Sequence, residues 1–426
     1  MRICVAGAGY VGLTTAAALA DFGHDVRCVD IDQAKIDSLC QGKIPIYEPG
    51  LQELVDKNLQ RNKLHFTAQV EESIRDYPII LIAVGTPSKE DGSSNLSFLS
   101  QVVDMIAATL NEYKIIITKS TVPPGTNEWI YQTFIEKGIA EEQFDIVSNP
   151  EFLREGCALW DIQHPNKIVF GTKSDRPIKI LKKLYPRGKA PYIFSSLTGA
   201  ELIKYASNAF LATKISFANE MARICEAYAV NYADIAKGIG TDPRIGHHFL
   251  SAGLGFGGSC LPKDLSALKN SAVRKNVETK LLDAVREINT EQIEIYLKKL
   301  MTEIPDLTGK QITVWGVTFK PGTDDLRSSP ALDLIRQLLQ KGVRVHTYDP
   351  MVHLELAEVN AFSDPYESVR DSDALIIATE WDEFITCNWS EVKANMREAV
   401  LLDARNCIDS QKVRSKGFIY LGVGKR

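Results

Sequence analysis

Ile3-Cys4-Val5-Ala6-Gly7-Ala8-Gly9-Tyr10-Val11-Gly12 stands at the head of the chain, and a second apolar run, Asp25 to Val29, delivers Asp30. Four apolar residues lead into G-x-G-x-x-G and a helical run, Leu13 to Ala20, leads out of it. This is the strand, turn and helix that begin a dinucleotide-binding unit. Gly7 permits a tight turn, Gly9 lets the backbone approach a pyrophosphate, and Gly12 lets the helix pack on the strand, while the amino end of the helix attracts the anion. A carboxylate closing the second strand about 20 residues later bonds both ribose hydroxyls and repels a 2′-phosphate. Asp30 therefore predicts NAD over NADP.

Ile79 to Val84, Lys114 to Thr118 and Asp145 to Ser148 continue the alternation of apolar runs with helical patterns. Strands of a parallel sheet are buried on both faces because helices cover both sides, so this rhythm predicts a doubly wound domain over residues 1–196. From Thr198 to Val230, and again from about Val277 to Met301, apolar residues recur at helical spacing and predict two long helices in a central region, 197–305. Alternation resumes with Gln311 to Trp315, a helix around Ala331 to Gln340, and strands at Val343 to Tyr348, Ala374 to Thr379 and Ala399 to Leu402, within 306–426. There too a strand ends in an acid, Tyr348-Asp349, as Val29-Asp30 does near the start. The expected fold is α/β, with two Rossmann-like doubly wound domains joined by a central long-helix region. At 426 residues the chain exceeds the roughly 250–300 that one core sustains, which agrees with several domains.

The formal charge of −5 gives no general attraction to phosphate backbones or anionic lipid, so neither nucleic acid nor membrane is expected as a partner. No apolar stretch approaches the ~20 residues of a membrane helix, and the first residues resemble neither a signal nor a transit peptide. Eight cysteines without a C-x-x-C pair argue against a disulfide framework or a metal site. A cytoplasmic protein without metal is expected, and any anionic ligand must be held by local charge.

Gly255-Phe256-Gly257-Gly258-Ser259-Cys260-Leu261-Pro262-Lys263-Asp264 carries the densest chemical signal. Three glycines in four residues allow a ligand to come close to the backbone, and Pro262 favours the first turn of a helix. Cys260 then lies just ahead of a helix amino end, where the dipole favours thiolate and hence nucleophilicity. Cys4, Cys28 and Cys225, by contrast, read as small buried hydrophobes. Lys204 and Asn208, one helical turn apart, share a face that can hold an alkoxide or oxyanion, although such a pair read alone is commonly solvated. Asn149-Pro150-Glu151-Phe152-Leu153-Arg154-Glu155 predicts a capped helix start with two carboxylates one turn apart. Val84-Gly85-Thr86-Pro87 and Lys119-Ser120-Thr121-Val122-Pro123 close predicted strands, where open α/β sheets bind ligands.

With YEPGL (Tyr47 to Leu51), PRIGHHFL (Pro243 to Leu250) and FKPGTDDLRSSP (Phe319 to Pro330), these segments resemble, in order and over nearly the whole chain, the UDP-glucose/GDP-mannose dehydrogenase family, and most of all its UDP-glucose branch. The resemblance implies two successive NAD-dependent oxidations of a sugar C6 alcohol to a carboxylate, the aldehyde being captured by Cys260 as a thiohemiacetal and then carried as a thioester. By matching positions it implies that Lys204 and Asn208 hold the oxyanion, that Asp264 and Thr121 order a catalytic water, and that Glu151 is the acid/base for thioester hydrolysis. NAD would meet Gly7, Gly9, Tyr10, Val11, Gly12, Asp30 and Lys35, then Thr86, Thr121 and Glu155, and also Lys263 and Arg327. The sugar nucleotide, UDP-glucose on this reading, would lie against Glu151, Phe152, Leu153, Lys204, Asn208, Arg244, Phe249, Gly257, Lys320 and Arg405. Arg244, Lys320 and Arg405 supply the local positive charge that an acidic chain needs to hold a diphosphate.

The resemblance also implies a homodimer built on the central helices, with Arg244 reaching the neighbour's sugar pocket. Other readings stay open. Family members acting on GDP-mannose share GGSCLPKD and VGTPSK, although PRIGHHFLSAG resembles the UDP-glucose branch, and a UDP-linked 2-acetamido sugar ranks third. A one-step β-hydroxyacid dehydrogenase also pairs a Rossmann domain with K-x-x-x-N but needs no thiol. An NAD-sensing binding protein would keep Gly7, Gly9 and Asp30 and have no use for Cys260.

Overall fold

The computed structural model describes residues 1–185 and 190–425. The chain divides into two compact units, one comprising Met1–Ser207 with Ser266–Lys275, the other Asn208–Leu265 with Asn276–Arg426.

The first unit holds an eight-stranded sheet of β1 (Arg2–Ala6), β2 (Asp25–Val29), β3 (Leu64–Thr67), β4 (Ile79–Ile82), β5 (Lys114–Thr118), β6 (Phe144–Ser148), β7 (Ile168–Thr172) and β8 (Tyr192–Ser195). Its order is β3-β2-β1-β4-β5-β6-β7-β8, parallel throughout except where β7 runs against β6. Within it the first six strands have the Rossmann order, and the reversal between β1 and β4 marks the crevice where such sheets bind dinucleotides. Strand β1 shows why helices are needed on both faces. Ile3 and Val5 join Leu13 and Leu19 in one core, while Cys4 and Ala6 join Leu99 and Ile130 in the other.

Two glycines of the opening motif are demanded by the chain's own packing. Gly7 adopts a φ of +105°, and a Cβ there would stand 2.6 Å from Ala83 O; a Cβ on Gly12 would stand 1.8 Å from Gly7 O. The sequence reading carried β4 to Val84, whereas it closes at Ile82. It passed over β3, β7 and β8; in β3, Leu64–Thr67 alternates buried with half-buried positions and offers no apolar run.

The second unit holds a six-stranded, all-parallel sheet of β9 (Gln311–Trp315), β10 (Arg344–Tyr348), β11 (Val359–Phe362), β12 (Ala374–Ile377), β13 (Val400–Asp403) and β14 (Ile419–Leu421), in the order β11-β10-β9-β12-β13-β14. It repeats the first fold down to single bonds. Gly316, at φ +86°, donates its N–H to Tyr348 O at 2.8 Å as Gly7 does to Val29 O at 2.7 Å. Asp349 Oδ2 accepts the Val317 N–H at 2.8 Å as Asp30 Oδ2 accepts that of Ala8 at the same distance. Asp349 differs in also accepting from Thr318 and Trp381, so its carboxylate is used up inside the fold.

The helix Leu197–Ala227 contributes to both units. It stops short of the expected Val230 because Ala229 turns left-handed, at φ +55°, and the N–H groups of Ala229 and Val230 fold back to Glu226 O and Cys225 O at 3.0 and 2.9 Å. The second long helix runs Lys280–Glu303. Among the described residues no helix is long and apolar enough to cross a membrane.

Candidate active site

Because β1, β2, β4, β5 and β6 are parallel, the residues that follow them, Gly7, Asp30, Thr86, Thr121 and Glu151, fall along one edge of the first unit's sheet. Asp30 is aimed and charged. Its carboxylate accepts N–H groups from Ala8 at 2.8 Å and Asp32 at 3.1 Å and pairs with Lys35 at 3.1 Å. Burial pushes this carboxyl up, but those donors outweigh it and hold it below the ordinary carboxylate range. Gly9 caps the helix Tyr10–Asp21, and a Cβ on it would meet nothing within 4 Å. The glycine that the protein's packing does not require thus faces open space at a helix amino end, the cradle a pyrophosphate needs. Val11 lies in that helix's first turn. The residues present fit NAD, and the Asp30 charge opposes a 2′-phosphate. Thr86 Oγ1 donates to Thr121 O at 2.8 Å and so ties the two strand-end loops together.

Segment 149–155 is not the helix its sequence suggests; the nearest helix begins at Ala158. Asn149 turns inward instead of capping, donating to Val169 O and accepting from Tyr185 OH, both at 2.8 Å. Glu151 turns inward as well, with Oε1 taking the Lys204 ammonium at 2.8 Å and Oε2 the Leu153 N–H at 2.5 Å. Burial pushes the Glu151 carboxyl up, but Lys204 above all, with the Leu153 N–H and Lys119, holds it below its usual range. Lys204 is 3% exposed, so it is no solvated surface lysine. Phe152 lies beneath two cations, Lys167 Nζ at 4.3 Å and Lys204 Nζ at 5.5 Å from the ring centroid. Leu153 and Glu155 follow as half-buried residues.

In the second unit Cys260 is partly exposed, and its carbonyl accepts the Asp264 N–H at 2.9 Å, which places it at the cap of the helix Leu261–Val273. Burial pushes the thiols of Cys4 and Cys387 up to about 12. Asp264, 1% exposed, takes Asn208 Nδ2 on one oxygen and Lys263 Nζ on the other, each at 2.6 Å. The glycines before Cys260 are filled differently from the sequence reading, which left their space to a ligand. A Cβ on Gly257 would stand 2.2 Å from Ser328 O, one on Gly258 2.6 Å from the Phe319 ring, and one on Gly255 2.7 Å from Asn289 Oδ1. Arg405 braces the same loop, donating to Ala378 O, Gly255 O and Phe319 O at 2.7, 3.1 and 3.3 Å. Lys320 is half-buried with Nζ 5.8 Å from the Phe319 ring centroid, and Phe249 adopts a φ of +63°. Arg244 and Arg327 are exposed and grip Asp242 and Asp325 through Nε and a terminal nitrogen.

Three buried polar residues escaped the sequence reading. Glu201 accepts Gly125 N–H at 2.5 Å and Asn127 N–H at 2.7 Å, capping the helix Thr126–Glu136; burial pushes it up to about 7 against the pull of these donors. Lys119 lies 3.3 Å from both Asn149 Oδ1 and Tyr185 OH, and burial brings it down to about 8. Glu48, in the YEPGL string, accepts the amides of Gly156 and Ala158. Each acts on residues distant in sequence, so no local spacing announced it.

Residues 1–188, 198–291 and 313–410 match, in turn, the NAD binding domain, the central domain and the UDP binding domain of the UDP-glucose/GDP-mannose dehydrogenase family. The chain is 42% identical to UDP-glucose 6-dehydrogenase TuaD of Bacillus subtilis, covering 100% of this chain and 93% of that protein. The solved UDP-glucose dehydrogenase of the archaeon Pyrobaculum islandicum superposes with a TM-score of 0.93 at 34% identity, over 100% of this chain and 98% of that one. The UDP-D-ManNAc dehydrogenase of Pyrococcus horikoshii gives 0.89 at 30% identity, over 100% and 99%. This chain therefore belongs to the UDP-glucose/GDP-mannose dehydrogenase family and is an NAD-dependent oxidoreductase acting on a CH–OH group.

Proposed function

We propose that the chain oxidises the C6 alcohol of UDP-glucose to the carboxylate of UDP-glucuronate, in two hydride transfers through an intermediate held on Cys260. The observation that carries this reading is Cys260 at a helix cap, partly exposed, beside an Asp264 whose two oxygens are already oriented. NAD, when bound, accepts the hydride in each oxidation. Lys204 and Asn208 hold the charge that develops on the sugar oxygen. After the first oxidation Cys260 Sγ bonds to the aldehyde carbon and its proton passes to the carbonyl oxygen, giving a thiohemiacetal. The second oxidation removes a hydride from that carbon and leaves a thioester, the hydroxyl proton passing to solvent water as the alcohol proton does in the first oxidation. Glu151 then takes a proton from a water that Asp264 and Thr121 orient; the water oxygen bonds to the acyl carbon, the C–S bond breaks, and Cys260 is restored.

On this reading Gly7, Gly9, Tyr10, Val11, Gly12, Asp30, Lys35, Thr86, Glu155, Lys263 and Arg327 serve NAD. Phe152, Leu153, Arg244, Phe249, Gly257, Lys320 and Arg405 serve the sugar nucleotide. The division into domains 1–196, 197–305 and 306–426 follows the same reading, with dimerisation assigned to the middle one. In support, Phe210, Phe217 and Ile224, one heptad apart on Leu197–Ala227, are 65%, 45% and 44% exposed, an apolar stripe suited to a second copy. Eight free cysteines suit a reducing, cytoplasmic setting, and on this reading the UDP-glucuronate formed feeds polysaccharide synthesis.

A panel of UDP-glucose, UDP-N-acetylmannosamine and GDP-mannose assayed with NAD tests the substrate. UDP-glucose should give a kcat/KM at least tenfold above the others. A higher value for either rival would reassign the sugar.

A further inference from the structure

The YEPGL string has so far no task, yet its glutamate is one of the most heavily engaged carboxylates in the first unit. Glu48 is 6% exposed. Its own carbonyl accepts the Leu51 N–H at 3.1 Å, which seats it at the head of the helix Leu51–Gln60. One carboxylate oxygen, Oε1, accepts the Ala158 N–H at 2.7 Å; the other, Oε2, accepts the Gly156 N–H at 2.7 Å and the hydroxyl of Tyr10. Tyr10 OH in turn accepts from the same Gly156 N–H at 3.2 Å. Tyr10 is the first residue of the helix that Gly9 caps, and Gly156 follows Glu155 directly.

We propose that Glu48 is a positioning residue of the NAD site: its buried carboxylate ties the first turn of the dinucleotide helix, through Tyr10, to the turn that carries Glu155. The inference rests on the assignment of NAD to Gly9, Tyr10 and Glu155. A charged acceptor is what the geometry requires, because one group must satisfy three amides, those of Gly156, Ala158 and Leu159, and a hydroxyl that arrive from separate segments, and hydrogen bonds to an ionised acceptor are shorter and stronger than neutral ones. A buried amide left without an acceptor would pull the 155–158 turn toward water and off the helix. Glu48 itself need not touch the coenzyme.

The test is NADH binding, followed by its fluorescence in the absence of any sugar nucleotide, in Glu48→Ala, Glu48→Gln and Tyr10→Phe. Glu48→Ala should weaken NADH about tenfold and speed amide exchange at 156–158, while KM for UDP-glucose and kcat at saturating NAD stay within about twofold. Glu48→Gln keeps one acceptor oxygen but is neutral and turns a donor toward one of the amides, so it should recover only part of the affinity. If Glu48→Ala does not fold, Tyr10→Phe decides: it removes only the hydroxyl and should weaken NADH about threefold. Unchanged NADH affinity in the folded variants, or equal losses in NADH affinity, sugar KM and kcat, overturns the proposal. Because NADH is measured alone, a wrong sugar assignment leaves this result intact.

Discussion

Asn208 and Asp264, 56 residues apart in sequence, meet through a 2.6 Å hydrogen bond from Nδ2 to Oδ2, and Lys263 closes the other oxygen of Asp264 at the same distance. An amide so held has a fixed direction and cannot rotate its donors away. Asp264→Ala should therefore lower kcat by about 10²-fold, the scale of losing one preorganised oxyanion donor, with KM changed far less. A fall in affinity with kcat intact would make Asp264 a binding residue instead.

Asp30 sets the coenzyme. Replacement by Ala removes the acceptor of two amides and the partner of Lys35, so kcat/KM for NAD should fall about 10- to 100-fold while the margin over NADP narrows. A wild-type enzyme that already favours NADP contradicts the assignment.

Glu201 makes stability depend on pH in a defined direction. Its carboxyl is raised in the folded state to about 7 from an ordinary 4.5, so between those values the folded chain binds more protons than the unfolded one. The contribution is present in full below pH 4.5 and is lost as pH rises through about 7. Glu201→Gln mimics the protonated form. The melting temperature of this variant minus that of the wild type should rise between pH 5.5 and 8, and a flat difference would mean that Glu201 is ionised throughout.

The exposed stripe on Leu197–Ala227 makes a further prediction. Phe210→Glu with Phe217→Glu should give a monomer by sedimentation at working concentration. Mixing Arg244→Ala with Cys260→Ala should restore about a quarter of wild-type activity after subunit exchange, since half the dimers are mixed and each has one complete site. No recovery despite demonstrated exchange would leave Arg244 acting within its own chain.

What was legible in the sequence is what local chemistry forces. Gly7 takes a left-handed φ of +105°, Gly12 is excluded from bearing a side chain by Gly7 O in the same turn, and Pro262 follows Cys260 at a helix start wherever the rest of the chain lies. What was missed acts at long range. Glu48, Lys119 and Glu201 are polar residues whose partners lie in segments distant in sequence, and nothing near them in sequence marks the bond. Asn149 to Glu155 looked helical because Asn-Pro-Glu is a good local start; the buried pair of Glu151 with Lys204 overrode it. The end of the long helix was overrun because Ala229, not glycine, takes the left-handed turn.

The most direct test of the central claim is the yield of NADH per UDP-glucose consumed, with free aldehyde trapped and counted in the same reaction. An intermediate held on Cys260 predicts two NADH per sugar and almost no trapped aldehyde in the wild type. It also predicts that Cys260→Ser binds substrate but stalls, because an ester releases its acyl group more slowly than a thioester. One NADH per sugar with stoichiometric aldehyde, or a Cys260→Ser variant turning over at the wild-type rate, would contradict the account.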